Sequence, residues 1–118
     1  MVDFSELERL GLDRREVQER FGGKESFFIK CMTIYFNTNN IERLEELCAA
    51  GNWDEALECV HTMKGSVGNL AFMPLFDIYC GMTEAFRDGM PQKAAEMLPG
   101  AVELERELRA AAGYNGAE

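Results

Sequence analysis

The sequence has little of several residue types that would point to other kinds of protein, with one histidine, one tryptophan and three prolines among 118 residues. The scarcity of proline, with 47% hydrophobic and 28% charged residues, indicates a folded chain rather than a disordered one. No segment approaches the roughly 18 consecutive apolar residues of a membrane span. The first residues, 1–6, lack the basic and apolar regions of a signal peptide. We therefore expect a cytoplasmic protein that does not enter a membrane.

Positive charge is also scarce, because 12 lysines and arginines face 21 acidic residues and give a formal net charge of −9. The arginines at 14, 15 and 20 alternate with glutamates at 16 and 19 and form no basic patch. A strongly acidic chain is repelled by phosphate backbones and anionic lipid surfaces. Nucleic acids and membranes are therefore excluded as expected partners.

The four cysteines, Cys31, Cys48, Cys59 and Cys80, are widely spaced, and no two of them have the spacing of a zinc or redox motif. Only one histidine is present to complete a metal site. Three of the cysteines fall among apolar helical positions, which predicts buried, reduced thiols. A metal-binding or redox bundle is therefore difficult to assemble from this sequence.

Helix boundaries are frequent, and no strand is indicated. Asp13 followed three residues later by Glu16 predicts a capping box at the start of a short helix that ends at Gly22-Gly23. Asn52 with Glu55, Pro74 and Pro91 mark three further starts. Pro99-Gly100 is expected to kink or interrupt the last helix. Apolar residues recur at helical spacing in the intervening segments, among them Phe27, Phe28, Cys31, Ile34, Tyr35, Ala56, Val60, Met63, Val67, Leu75, Tyr79, Met82, Phe86, Ala94, Met97, Ala101, Leu104, Leu108 and Ala111.

These segments predict an all-α fold, an antiparallel four-helix bundle with short N-terminal helices. The length suits one domain over residues 1–118. Within it we expect an N-terminal brace at 1–23, the bundle at 24–112 and a frayed tail at 113–118. The methionine at position 1 favours a free-standing protein, and we expect a monomer.

The most informative segment runs from the single histidine, His61, to Leu70 and has the sequence HTMKGSVGNL. On a helix, His61, Lys64, Gly65 and Gly68 occupy one stripe of surface. An imidazole nitrogen can accept a phosphoryl group, and an ammonium group can offset the charge of the phosphoryl oxygens. The helical wheel directs His61 away from the apolar side and places Lys64 at the boundary.

Two glycines in the central turns of an exposed helix face each cost roughly 1 kcal/mol relative to alanine. Gly65 and Gly68 are not on the apolar side of the wheel, so an approaching partner explains them better than close helix packing does. Glu58 lies one turn before His61, where it is either a hydrogen-bond partner of the imidazole or a repelling charge.

The segment from His61 to Leu70 resembles the signature of histidine-containing phosphotransfer domains, in which His-x-x-Lys-Gly is followed by small residues and Asn-Leu. The resemblance extends to Phe21-Gly22-Gly23, to Ala49-Ala50-Gly51-Asn52-Trp53, and to Cys80 with Glu84. One departure is Ala71, where a glycine commonly follows Asn-Leu; we expect this exchange of one small residue for another to have little effect.

The resemblance implies a phosphorelay carrier of two-component signalling. His61 would accept a phosphoryl group from a receiver-domain aspartate and pass it to another, Lys64 would stabilise the phosphoryl oxygens, and Gly65 and Gly68 would admit the receiver's loops. The implied partners are response-regulator receiver domains and a hybrid sensor histidine kinase. The carrier would have no ATPase or autokinase activity and no cofactor of its own, because the receiver brings Mg²⁺.

Two other functions compete with this one. Gly22-Gly23-Lys24 resembles the end of a phosphate-binding loop, but Gln18 stands where glycine is required and Glu25 where serine or threonine is required, which excludes an ATP-using kinase. A helical adaptor that binds receivers without phosphotransfer would need neither His61 nor Lys64. The presence of both residues favours the carrier.

Overall fold

A computed structural model describes residues 2–38 and 40–113, and all of its regular secondary structure is helical. Within these residues no strand is present, only an isolated bridge between Leu12 and Phe72. None of the described helices is long and apolar enough to cross a bilayer. The described helices are α1 (Phe4–Arg9), α2 (Arg14–Phe21), α3 (Glu25–Thr38), α4 (Ile41–Ala49), α5 (Trp53–Asn69), α6 (Met73–Arg87) and α7 (Pro91–Ala111).

The three long helices α5, α6 and α7 form most of the bundle, with α5 packed on α6 and α6 packed on α7. Their connections are three residues each, which makes neighbouring helices antiparallel. Only residues 39 and 40 separate α3 from α4, and α4 packs against both α5 and α7. The α3 and α4 segments together therefore take the place of the first bundle helix, and the all-α bundle predicted from the sequence is confirmed.

Helix α3 buries only part of the face that the sequence suggests, because Phe28 and Tyr35 are buried as expected but Phe27 and Ile34 are not. Its buried side chains are Phe28, Met32, Tyr35 and Phe36. Phe27 and Ile34, which we expected on the buried side, are 52% and 53% exposed. The helix has two apolar stripes, and the buried one includes Tyr35, which donates a hydrogen bond to Glu105 on α7. The other remains at the surface beside α2 and the end of α5.

Helix α7 runs without interruption from Pro91 to Ala111, so the interruption expected at Pro99-Gly100 does not occur. Both residues are exposed, and hydration can compensate the carbonyl group that loses its helical donor at the proline. The buried stripe also differs from prediction by one residue at two points. Leu98 and Glu105 are buried where Met97 and Leu104 were expected.

Glu105 is a carboxylic acid inside the core, with 4% of its surface exposed. Its Oε1 accepts hydrogen bonds from the hydroxyl groups of Tyr35 on α3 and Tyr79 on α6, the second at 2.9 Å. Burial raises the pKa of both tyrosines above the ordinary value of 10.0, and the neighbouring Glu105 adds to this shift. One buried carboxyl group thus connects three helices.

The N-terminal segment is hydrogen-bonded to the end of α7 and to the residues that follow α5. The backbone N–H of Asp3 donates to the carbonyl of Ala111 at 2.7 Å, and that of Asp13 donates to Ala71 at 3.1 Å. The Asp13 carboxylate caps α2 by accepting from the Glu16 N–H at 3.1 Å. The reciprocal half of the predicted capping box is absent, because the Asp13 N–H donates to the Ala71 carbonyl just after α5. Of the predicted frayed tail, 113–118, only Gly113 lies among the described residues.

Candidate functional site

Helix α5 is continuous from Trp53 to Asn69, so the stripe predicted from the sequence exists as a surface. Its inward side is formed by Ala56, Cys59, Val60, Met63 and Val67, which are all buried. The predicted start is correct, since Asn52 is the N-cap residue, although its side chain makes no capping hydrogen bond. The buried side fixes the rotation of α5, and that rotation determines which residues face outward.

His61 is exposed on the outward side of α5, and its imidazole has no hydrogen-bond or ion-pair partner among residues 2–38 and 40–113. Glu58 is also exposed, and the structure contains no hydrogen bond between its carboxylate and His61. The adjacent Thr62 hydroxyl is directed along the helix, where it donates to the carbonyl of Glu58 at 3.1 Å. The imidazole nitrogens are therefore open to a reactant from solution.

Lys64 lies one turn after His61 and is half-buried, which matches its predicted boundary position. Within the part of the chain that the structure describes, no carboxylate lies within ion-pair distance of its ammonium group. By contrast, Arg20 and Arg43 are paired with Glu16 and Glu55 at 3.1 and 3.2 Å. The ammonium of Lys64 is thus available to an anion held at His61.

The two glycines on this face have different surroundings. A Cβ atom built on Gly65 would have no heavy atom within 4 Å apart from its own helix, so the space outside Gly65 is open. A Cβ atom on Gly68 would lie 3.0 Å from two ring carbons of Phe76 on α6. The preference for a partner over packing is therefore wrong in part for Gly68, because this glycine also accommodates the Phe76 ring.

Sequence reasoning did not identify Arg20 as part of this region. Its Nη1 donates a hydrogen bond to the carbonyl of Gly68, across 48 residues of sequence. Arg20 also borders a shallow hollow on the surface beside the glycines. The residues lining this hollow are Arg20, Gly65, Gly68, Asn69, Met73 and Phe76. The only residue of the hollow that the sequence motif includes beyond the two glycines is Asn69, near the end of the segment from His61 to Leu70.

Helix α5 ends in a Schellman motif centred on Ala71. The Phe72 N–H donates to the carbonyl of Val67, and the Ala71 N–H donates to that of Gly68, both at 3.1 Å. Ala71 has a φ of 61°, the left-handed conformation that glycine adopts without strain. The exchange of glycine for alanine here is therefore not conformationally neutral, contrary to our expectation from size alone.

The cysteines are all free thiols, but only Cys59 is buried, and the other three are half-buried. The prediction of buried thiols is thus correct for one of them. Burial raises the pKa of Cys48 and Cys59, which lowers the reactivity of both thiols. Among the described residues no group of three histidine, cysteine or acidic side chains is placed to hold a metal ion.

The chain was compared with known protein families, curated proteins and solved structures. The sequence matches the Hpt domain, the histidine-containing phosphotransfer domain, over residues 33–114. No curated protein and no solved structure matches the chain. The matched region contains the bundle from the later part of α3 to the end of α7, including His61 and the whole exposed stripe of α5. The chain therefore belongs to the Hpt domain family, whose members transfer phosphoryl groups through a histidine in phosphorelay signalling.

Proposed function

We propose that this protein carries a phosphoryl group on His61, accepted from the aspartyl phosphate of one receiver domain and delivered to the aspartate of another. The observation that carries this proposal is the position of His61, which is exposed and unpaired among the described residues on the same face as Lys64 and the open Gly65. His61 is also the only histidine in the sequence.

In the transfer step, the lone pair of an imidazole nitrogen of His61 attacks phosphorus, a nitrogen–phosphorus bond forms, and the phosphorus–oxygen bond to the receiver's aspartate breaks. The aspartate leaves as a carboxylate. Delivery to the second receiver is the same step in reverse. The reacting nitrogen must carry a free lone pair, and the exposure of His61 leaves its ring open to the approaching phosphorus.

Lys64 would contribute by offsetting charge on the phosphoryl oxygens. Phosphoryl transfer depends chiefly on positioning and charge neutralisation, so a nearby ammonium group and an unobstructed approach are what this chain has to supply. The open space at Gly65 permits a receiver to bring its aspartate to the imidazole. Mg²⁺ bound by the receiver would provide further neutralisation.

The test is a two-stage transfer. A receiver domain carrying radioactive phosphate is mixed with this protein, and an unphosphorylated second receiver is then added. We expect the label to move to this protein and then onward, and His61→Gln to accept none. A protein that binds receivers but takes no label would be an adaptor instead, and label on His61→Gln would place the phosphate elsewhere.

Lys64→Ala is expected to slow transfer by about tenfold to a hundredfold, because one charge-stabilising group is lost at the reacting phosphate. Lys93→Ala on α7 removes the same charge away from α5 and should transfer at the wild-type rate. Rapid-quench measurement of labelling gives both rates, and circular dichroism checks that both variants fold. Equal rates for the two variants would exclude Lys64 from the reaction.

A further inference from the structure

Arg20 reaches the His61 face from a helix that lies outside the matched family region. It belongs to α2, and the match begins at residue 33. Its Nη1 donates to the carbonyl of Gly68, and its Nε donates to Glu16 at 3.1 Å. The side chain remains 42% exposed. The N-terminal brace thus places a fixed guanidinium group beside the surface that carries the phosphoacceptor.

The position of Arg20 is fixed by the backbone as well as by its own hydrogen bonds. The Asp13 N–H at the start of α2 donates to Ala71 at 3.1 Å, and Leu12 forms the bridge with Phe72. These contacts attach α2 to the residues that follow α5. An arginine held in this way loses little conformational entropy when it binds a partner, and it favours acceptors of one geometry.

Two hollows meet at Arg20. One lies toward α6, where Met73 and Phe76 form its apolar part. The other lies between α3 and α5, where Cys31 and the 53% exposed Ile34 form its apolar part. A partner that fills both hollows would remove water from the surroundings of the guanidinium group.

A receiver that binds at His61 is large enough to cover both hollows as well. Gly68 follows His61 by seven residues, which is about 10 Å along the helix axis. A standard protein interface covers about 800 Å² on each partner, equivalent to a disc of about 16 Å radius. A disc of that size centred on His61 includes Arg20. A partner without an acceptor at this point would leave the guanidinium dehydrated and incompletely paired, which disfavours its binding.

We propose that Arg20 is a specificity-determining contact residue, which pairs with a carboxylate on the receiver about 10 Å from the phosphorylated aspartate. This inference rests on the proposed function for the identity of the partner. It assigns the N-terminal brace a part in choosing the receiver, beyond its structural attachment to α5 and α7.

The test compares Arg20→Ala with Arg15→Ala, which removes the same charge from the same helix. Arg15 is exposed and has no hydrogen bond or ion pair within the described residues. Purified receiver domains of the source organism are titrated against wild type and both variants, and transfer is measured at saturating receiver. Binding is measured with unphosphorylated receivers, so it does not depend on transfer.

For the tightest-binding receiver, we expect Arg20→Ala to raise Kd at least tenfold and to leave the transfer rate at saturating receiver unchanged. The preference for that receiver over the others should fall at least tenfold. Arg15→Ala should match wild type. Equal Kd values for the two variants would overturn the proposal. An equal loss of affinity for every receiver, together with a lowered Tm of Arg20→Ala, would also overturn it, because that result indicates a purely structural role. Receivers that bind through Arg20 without labelling His61 would refute the proposed function alone.

Discussion

Among single residues, Gly65 and Gly68 lie on the same helical stripe as His61 in the sequence, but they have different neighbours in the structure. The open surroundings of Gly65 lead us to predict that Gly65→Leu stabilises the protein by about 0.5–1 kcal/mol, because leucine is the better helix former. The same substitution should reduce transfer at least tenfold by obstructing the receiver. Chemical denaturation and transfer rates test the two effects together.

Gly68→Leu is the control, because its side chain must displace Phe76 and should lower stability. A Gly65→Leu protein that transfers at the wild-type rate would show that the open space is not used by a partner.

Ala71 provides a second residue-scale prediction. In Ala71→Gly, relief of the left-handed strain, about 1–2 kcal/mol, outweighs the buried methyl group lost, about 0.8 kcal/mol. We therefore expect stability to be unchanged or to rise by up to about 1 kcal/mol. Ala101→Gly is the control, since Ala101 is equally buried but lies inside α7, and it should lose about 1–2 kcal/mol. Urea unfolding of the two variants measures the difference, and similar losses would contradict the strain at Ala71.

The sequence was sufficient to predict the outward direction of His61, because that direction depends on α5 alone. The buried residues Ala56, Val60 and Met63 set the rotation of the helix, and their spacing is visible in the sequence. The place of Arg20 was not predictable in this way. Its contact with Gly68 crosses 48 residues and depends on how α2 packs, for which the sequence offers no local signal.

At the scale of the elements, the starts and ends of helices were predictable wherever local chemistry determines them. Gly22 adopts a left-handed φ of 57° at the end of α2, as the sequence suggested. The start of α1 also has a local signal, the N-cap Asp3, whose carboxylate accepts from the Glu6 N–H at 3.0 Å. This helix is too short for its apolar spacing to be recognised in the sequence. Which stripe of α3 is buried depends on packing between helices, and local spacing did not determine it.

The continuity of α7 through Pro99-Gly100 leads to a prediction for this helix. Gly100→Ala should stabilise the protein by about 0.5–1 kcal/mol, because alanine lowers the conformational entropy of the unfolded chain and its methyl group fits at 3.9 Å from Ile78. Gly81→Ala in α6 is the control, since its Cβ would lie 2.9 Å from Met97, and it should gain less or lose stability. Thermal unfolding measures both variants. An equal gain in both would contradict the close packing of α6 on α7.

At the scale of the whole molecule, the bundle depends on a polar contact that the apolar pattern did not reveal. Glu105 occupies a position of the buried stripe of α7, whereas the apolar pattern of the sequence predicted Leu104 there instead. The hydroxyl groups of Tyr35 and Tyr79 make its burial possible. Complementarity of this kind involves three separate helices, so it becomes visible only when they are assembled.

The contact of Glu105 with the two tyrosines predicts how the free energy of unfolding falls at alkaline pH. The folded-state pKa values of Tyr35 and Tyr79 are raised, so the unfolded chain releases their protons first as the pH passes about 10. Their contribution to stability is complete below that pH, and above it stability should fall by about 1.4 kcal/mol per pH unit for each tyrosine.

Urea unfolding at a series of pH values, with tyrosinate absorbance, follows this loss. Tyr79→Phe should be less stable at neutral pH but should lose stability less steeply above pH 10. An unchanged slope in that variant would contradict the assignment.

The central claim is that this protein holds its phosphoryl group on His61 while it exchanges that group with receivers. The most direct measurement is fragmentation mass spectrometry of the protein after transfer from a phosphorylated receiver. We expect phosphate on His61 alone, retained in alkali and lost in acid. Phosphate on any other residue, or none after exposure to every receiver of the source organism, would contradict it.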